Sequence, residues 1–184
     1  MNLVSLRRCF VIASKTLYLL QVTKIRHYTV KNFNPTAIFV NYPQHQYKIR
    51  ELERKKEEIW DDVRRMWVSL TPEEWVRQNF LQFLIQVQKY PASYVSIEKK
   101  IQLGDVKKRF DILVYNKAVV PWLMVECKAT DVQLDKKVMN QVLNYNMAVP
   151  VPYLIITNGH YCYGYRRDEN NINLQPLEVL PEYE

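Results

Sequence analysis

Two apolar runs joined by a short turn dominate residues 109–128, RFDILVYNKAVVPWLMVECK. Runs rich in β-branched and aromatic residues on either side of a turn predict a β-hairpin. Alternation puts Phe110, Ile112, Val114, Leu123 and Val125 on one face and Leu113, Tyr115, Trp122 and Met124 on the other. With both faces apolar, the pair is expected in the centre of a sheet covered on both sides. A turn centred between Ala118 and Val119 sets Tyr115 opposite Trp122 and Asp111 opposite Glu126.

The remaining pattern surrounds this hairpin with shorter elements. Residues 41–56 form a polar arm with one strand expected at 47–49, and EIWDDVRRMWVSL predicts a small hairpin turning at Asp61-Asp62. A helix follows. Thr71 is its N-cap, Pro72 its first residue and Glu74 the third position of a capping box. Its expected apolar face is Trp75, Phe80, Leu81, Leu84 and Ile85, flanked by Val76 and Val87 and ended by Pro91. The stretch SYVSIEKKIQL then alternates as a strand, with Tyr94, Ser96, Glu98 and Lys100 on one face and Val95, Ile97 and Lys99 on the other, before a turn at Gly104-Asp105. A second helix is predicted over 131–147, where Gln141 and Tyr145 share a face. Pro150 and Pro152 close it, and PYLIITNG turns through Asn158-Gly159 into the strand YCYGY. The tail beyond residue 170 is polar apart from the run LEVL.

Composition changes this picture at one end only. With 184 residues, 48% hydrophobic and 24% charged, the chain fits one ordinary domain with a core. Residues 1–36 hold six Lys or Arg and no acid, and are expected to be a basic N-terminal appendage resembling a targeting presequence, outside a domain spanning 37–184. Their apolar run, interrupted by Lys15, is too short to span a bilayer. Without that segment the net charge of +7 nearly vanishes, since 20 basic and 19 acidic residues remain. Total charge therefore says little about DNA. The local cluster Lys99, Lys100, Lys107, Lys108 and Arg109, opposed only by Glu98 and Asp105, fits either a nucleic-acid backbone contact or a solvated hairpin tip. Cys9, Cys127 and Cys162 have neither zinc nor disulfide spacing, so a reducing, cytoplasmic setting is expected. No glycine pattern marks a nucleotide site.

The charges inside the apolar hairpin call for chemistry. Two carboxylates directly opposed on a sheet repel unless a cation lies between them. Lys128 shares the face of Glu126, while Cys127 points the other way and leaves its carbonyl as a third oxygen. Such hard oxygens suit Mg²⁺, with Mn²⁺ as a substitute, because Mg²⁺ keeps several waters and takes only one or two protein carboxylates. Phosphodiester hydrolysis needs that combination: an oriented water, neutralised phosphate charge and an amine to orient or deprotonate the nucleophile or to stabilise the transition state. The bland alternative is a structural ion pair, Glu126 with Lys128 or Asp111 with Arg109.

In order and spacing, Asp111-Ile-Leu-Val followed by Val125-Glu126-Cys127-Lys128 resembles the PD-(D/E)xK nuclease signature without the proline before the aspartate. Together, TPEEWVRQ at 71–78, RFDILVY at 109–115, LMVECKA at 123–129 and QVLNY at 141–145 resemble the nuclease domain at the N-terminus of type I restriction enzyme R subunits, from about residue 40 onward. The resemblance implies an α/β, restriction-endonuclease-like fold, a mixed central sheet flanked by helices, that cleaves DNA. It implies Asp111, Glu126 and Lys128 as the active triad, Glu74 as a metal ligand or an acid close behind, and Gln141 and Tyr145 as a substrate-positioning QxxxY pair. Glu73 is expected to matter less. R subunits continue into an ATP-driven translocase, and nothing follows residue 184, so the expectation is a stand-alone nuclease or a component relying on other restriction-modification subunits. The alternative is a catalytically silent DNA-binding or assembly module of a restriction-modification system.

Overall fold

A computed structural model of the chain describes residues 36–103, 106–146, 151–167 and 174–183. Strands β1 (Ile49–Leu52), β2 (Lys56–Asp61) and β3 (Met66–Ser69) form a small antiparallel sheet. Helix α1 (Pro72–Gln82) follows, and strands β4 (Val95–Leu103), β5 (Val106–Tyr115) and β6 (Pro121–Cys127) then form an antiparallel meander. Helix α2 (Lys136–Asn146) crosses over to β7 (Tyr153–Thr157), which lies parallel to β6. Strands β8 (Cys162–Arg167) and β9 (Leu174–Leu177) complete a six-stranded mixed sheet in the order β4-β5-β6-β7-β8-β9. Among the described residues no helix is long and apolar enough to cross a membrane. Residues 1–35 of the expected appendage and the Gly104-Asp105 turn fall outside the described residues, and Ile38, near the start of the described chain, is buried in the core.

The central strands are covered on both faces, as their composition predicts. Ile112, Val114, Leu123, Val125 and Cys127 pack in one layer with Val76, Phe80 and Leu84 of the α1 segment. Phe110, Leu113 and Met124 pack in the other with Met139 and Val142 of α2. Two residues depart from simple alternation. Phe110 joins the layer of Leu113, because the β4–β5 ladder is interrupted at Asp111. Trp122 joins the α1 layer, beside Tyr90 and Tyr153. Its expected partner Tyr115 instead pairs with Pro121 across a register shift. The cause is Asn116, whose Oδ1 accepts from the N–H groups of Ala118 (3.1 Å) and Val120 (2.9 Å) and so shortens the turn.

Helix α1 begins as the capping signal predicts, with Thr71 Oγ1 accepting from Glu74 N–H at 3.0 Å. The buried apolar residues of α1 and of the π-helical turn that continues it are Val76, Phe80, Leu81, Phe83 and Leu84, while Trp75 and Val87 are exposed. A π-helical turn over Phe83–Val87 shifts the phase of the last residues, and Trp75 packs edge-on against Tyr47 outside the core. The same helix also buries a polar face, Glu74, Arg77, Gln78 and Gln82. Helix α2 starts at Lys136 rather than 131, where Asp135 Oδ1 caps it by accepting from Val138 N–H at 2.8 Å.

Candidate active site

The first turn of α1 and the facing ends of β5 and β6 meet around Asp111. The pairs Ile112↔Val125, Leu113↔Met124 and Val114↔Leu123 have the expected offset, and one further step sets Asp111 opposite Glu126. At that step the backbone ladder gives way to a side chain, as Asp111 Oδ2 accepts from the Cys127 N–H at 2.7 Å. Lys128 Nζ donates to Glu126 Oε1 at 2.8 Å. The Lys128 backbone N–H in turn donates to Thr157 O at 2.8 Å, tying this end of β6 to β7. Cys127 is fully buried in the α1 layer, which leaves Glu126 and Lys128 on the opposite side of the strand, as alternation requires.

Electrostatics mark this patch as short of positive charge. Burial, and next the Asp111 charge, push the Glu126 carboxyl above the usual carboxylate range despite its bond to Lys128. Burial opposes the charge on Lys128, but Glu126, Glu73 and Asp111 outweigh it and raise its pKa. Glu73 is raised as well, by burial first and then by Asp111, with Lys128 and Arg77 acting the other way. The acid of the first helical turn that shares the field of Lys128 and Glu126 is thus Glu73.

Glu74 is 5% exposed and fully engaged. Its Oε1 accepts from Arg64 Nη2 at 2.9 Å and Gln78 Nε2 at 2.8 Å, and its Oε2 accepts from Arg77 Nη1. Arg77 then reaches Asp111 Oδ1 at 3.5 Å, so one guanidinium separates the two acids. The network continues away from the patch. Asp61, wholly buried, accepts from Arg64 Nε at 2.6 Å and Gln78 Nε2 at 2.9 Å, and Glu98 Oε2 accepts from Arg64 Nη1 at 2.9 Å. Arg77 and Gln78 were recoverable from the sequence, since they stand three and four residues after Glu74 on one helical face. Arg64 and Glu98 carried no comparable signal. Asp111 takes its cation from Arg77, whereas Arg109 pairs with Glu98 at 3.5 Å.

Gln141 and Tyr145 lie on α2, but their side chains are outside the described residues. Of the basic cluster, Lys99, Lys100 and Arg109 are exposed, with Lys100 and Arg109 paired across β4 and β5. Among the described residues no three His, Cys, Asp or Glu side chains converge as a closed metal cage. A buried carboxylate beside a partly buried one, the first raising the cost of charge on the second, fits an ion that keeps most of its own waters, and Asp111 and Glu126 are that pair. A ligand role for Glu74 would require Arg64, Arg77 or Gln78 to release it.

The family model described as type I restriction enzyme R protein N terminus (HSDR_N) matches residues 72–181, from the first residue of α1 past β9. No match is found among curated proteins.

Proposed function

The chain belongs to the family of type I restriction enzyme R protein N termini, and from that membership we propose that it is a Mg²⁺-dependent endodeoxyribonuclease with a restriction-endonuclease-like fold. The observation that carries the proposal is the joining of the two strand ends, where Asp111 holds the Cys127 N–H while Glu126 holds Lys128. Asp111, Glu126 and the Cys127 carbonyl would hold Mg²⁺, or Mn²⁺ in its place. When bound, the ion would activate water and offset charge on the phosphate.

The chain's own groups divide the remaining work. Lys128 is kept as an ammonium by the carboxylates around it. Its role is therefore to place positive charge against the phosphate oxygens as the P–O bond to water forms and the bond to the leaving oxygen breaks. Glu73 lies in the same field and would shape it without holding the ion. Glu74 sets Arg77, and Arg77 sets Asp111. Gln141 and Tyr145 are proposed to position the substrate from α2. Exposed Lys99, Lys100 and Arg109 offer positive charge to the DNA backbone. Other restriction-modification subunits are proposed as partners, and a cytoplasmic location goes with them.

One observation favours the competing reading of a silent DNA-binding or assembly module: Arg77 already supplies a cation to Asp111. Digesting plasmid DNA and a structured RNA side by side, with Mg²⁺, Mn²⁺ or chelator, separates the readings. DNA cut only in the presence of metal is expected. Cleavage of RNA alone would reject the substrate, and cleavage in chelator would reject the metal.

A further inference from the structure

Glu98 has φ = +50° in the middle of β4, a conformation that L-residues with a side chain rarely adopt. The other non-glycine residues with positive φ among those described, Lys55, Arg65, Lys89 and Val119, stand in turns or at helix ends. Strain of this kind persists where surrounding contacts over-determine it, and it gathers at functional sites. The position of Glu98 is also particular. Ile97 pairs with Ile112 and Lys99 with Phe110, so Glu98 falls opposite Asp111, and that one pair is missing from the ladder.

A regular strand there would hold the Glu98 and Asp111 carboxylates side by side, in addition to Glu126 on the far side of Asp111. The left-handed residue takes Glu98 out of the row. Its carboxylate meets three arginines instead: Arg64 Nη1 at 2.9 Å, Arg77 Nη1 at 3.5 Å and Arg109 Nη1 at 3.5 Å. These come from three separate elements, the β2–β3 turn, α1 and β5. Arg77 is the cation on Asp111, and Arg109 is the exposed cation beside it.

We propose that Glu98 is a positioning residue for the candidate site, its left-handed backbone withdrawing the carboxylate from Asp111 so that it fixes Arg77 against Asp111 and Arg109 at the exposed edge. The proposal rests on the nuclease reading for its consequence, but not for its geometry. The carboxylate contacts of Glu98 among the described residues are to arginines, not to the proposed metal ligands. Glu98 acts on the site through Arg77, while Arg109 is largely exposed and keeps its charge without Glu98, so loss of Glu98 should slow the chemical step more than it weakens DNA binding.

The test compares Glu98→Gly, Glu98→Ala and Glu98→Gln in the full chain. Thermal unfolding in chelator reads the strain without metal or substrate. Both Gly and Ala lose the carboxylate, but only Gly accepts φ = +50° without a Cβ clash, so Glu98→Gly should unfold at a higher temperature than Glu98→Ala. Plasmid nicking with Mg²⁺ reads the positioning: Glu98→Gly and Glu98→Gln should each lose at least about tenfold in kcat with KM for DNA within about twofold, a split between chemistry and uniform binding. Ala as stable as Gly would overturn the strain. Undiminished kcat in Glu98→Gly, or losses that track the fall in unfolding temperature across the three variants, would overturn the positioning. Wild-type protein that nicks nothing would end the nuclease reading and the positioning role with it, while the Gly and Ala comparison would still decide the strain.

Discussion

Replacing Arg77 with methionine isolates the contact on which the site's internal order depends. Arg77 is 3% exposed and joins Glu74 to Asp111. Breaking a buried ion pair by removing one partner costs about 3–5 kcal/mol, because the other charge stays buried and uncompensated. Here the cost falls unevenly. Glu74 keeps Arg64 at 2.9 Å and Gln78 at 2.8 Å, so Asp111 bears most of it, retaining among the described residues the Cys127 N–H at 2.7 Å. Against this, Arg77 Nε is itself buried without a partner, a defect that methionine removes at a gain of about 1 kcal/mol. The expected net loss is about 2–4 kcal/mol, read by denaturant unfolding at neutral pH in chelator. Adding Mg²⁺ should stabilise the variant more than the wild type, since an ion near Asp111 replaces the missing positive charge and a ligand binding only the native state shifts the equilibrium toward it. A loss below about 0.5 kcal/mol, within the range of an ordinary surface substitution, would refute the reasoning, as would an equal response of both proteins to Mg²⁺.

Two further substitutions test separate parts of the structure. The raised Glu126 pKa means that the native state binds this proton more tightly than the unfolded chain, so wild-type stability is lost as pH rises through the raised value. Glu126→Gln should therefore unfold at a higher temperature than wild type at neutral pH in chelator, with the difference closing below the ordinary Glu range near about pH 4; a difference independent of pH would contradict the burial and charge assigned to Glu126. At the sheet's other face, a Cβ on Gly164 would lie 2.7 Å from Ile38 Cδ1 and 3.1 Å from Ile155 Cδ1. Gly164→Ala should cost about 1–2 kcal/mol by overpacking, and Ile38→Val, which removes the clashing methyl, should recover part of it in a double-mutant cycle; additive losses would show that Ile38 does not pack on β8.

What the sequence disclosed followed from local chemistry. The Thr71 cap, the existence of the small hairpin, though not its register, which turns after Asp61 and pairs Ile59 with Val68, and the offset of β5 on β6 are all set by side-chain period and turn residues within a few positions. Apolar composition on both faces likewise foretold the double cover of β5 and β6. The misses arose where a side chain overrode the pattern. Asn116 pulled the turn tight and displaced Trp122 from Tyr115, Tyr47 took Trp75 on the outer side of α1, and the π-helical turn changed the phase of the residues up to Val87. The candidate patch was legible in Asp111, Glu126 and Lys128 because charges in apolar strands are conspicuous. Arg64 and Glu98 looked like solvated surface, and their convergence on Arg77 depends on three elements meeting in space. No periodicity could reveal a left-handed residue inside β4.

Lys128→Ala tests the central claim most directly, because among the described residues Lys128 meets Glu126 alone by its side chain and is itself partly exposed, so its removal should leave the fold and the DNA contacts proposed for Lys99, Lys100 and Arg109 in place. Plasmid nicking and DNA affinity should be measured on the same preparations of wild type and variant with Mg²⁺. Wild type is expected to bind and nick, and the variant to bind with similar affinity while nicking falls by at least about a hundredfold, in the range of one lost transition-state donor. Wild type that binds DNA yet nicks none with Mg²⁺ or Mn²⁺, or a variant that nicks as fast as wild type, would contradict it.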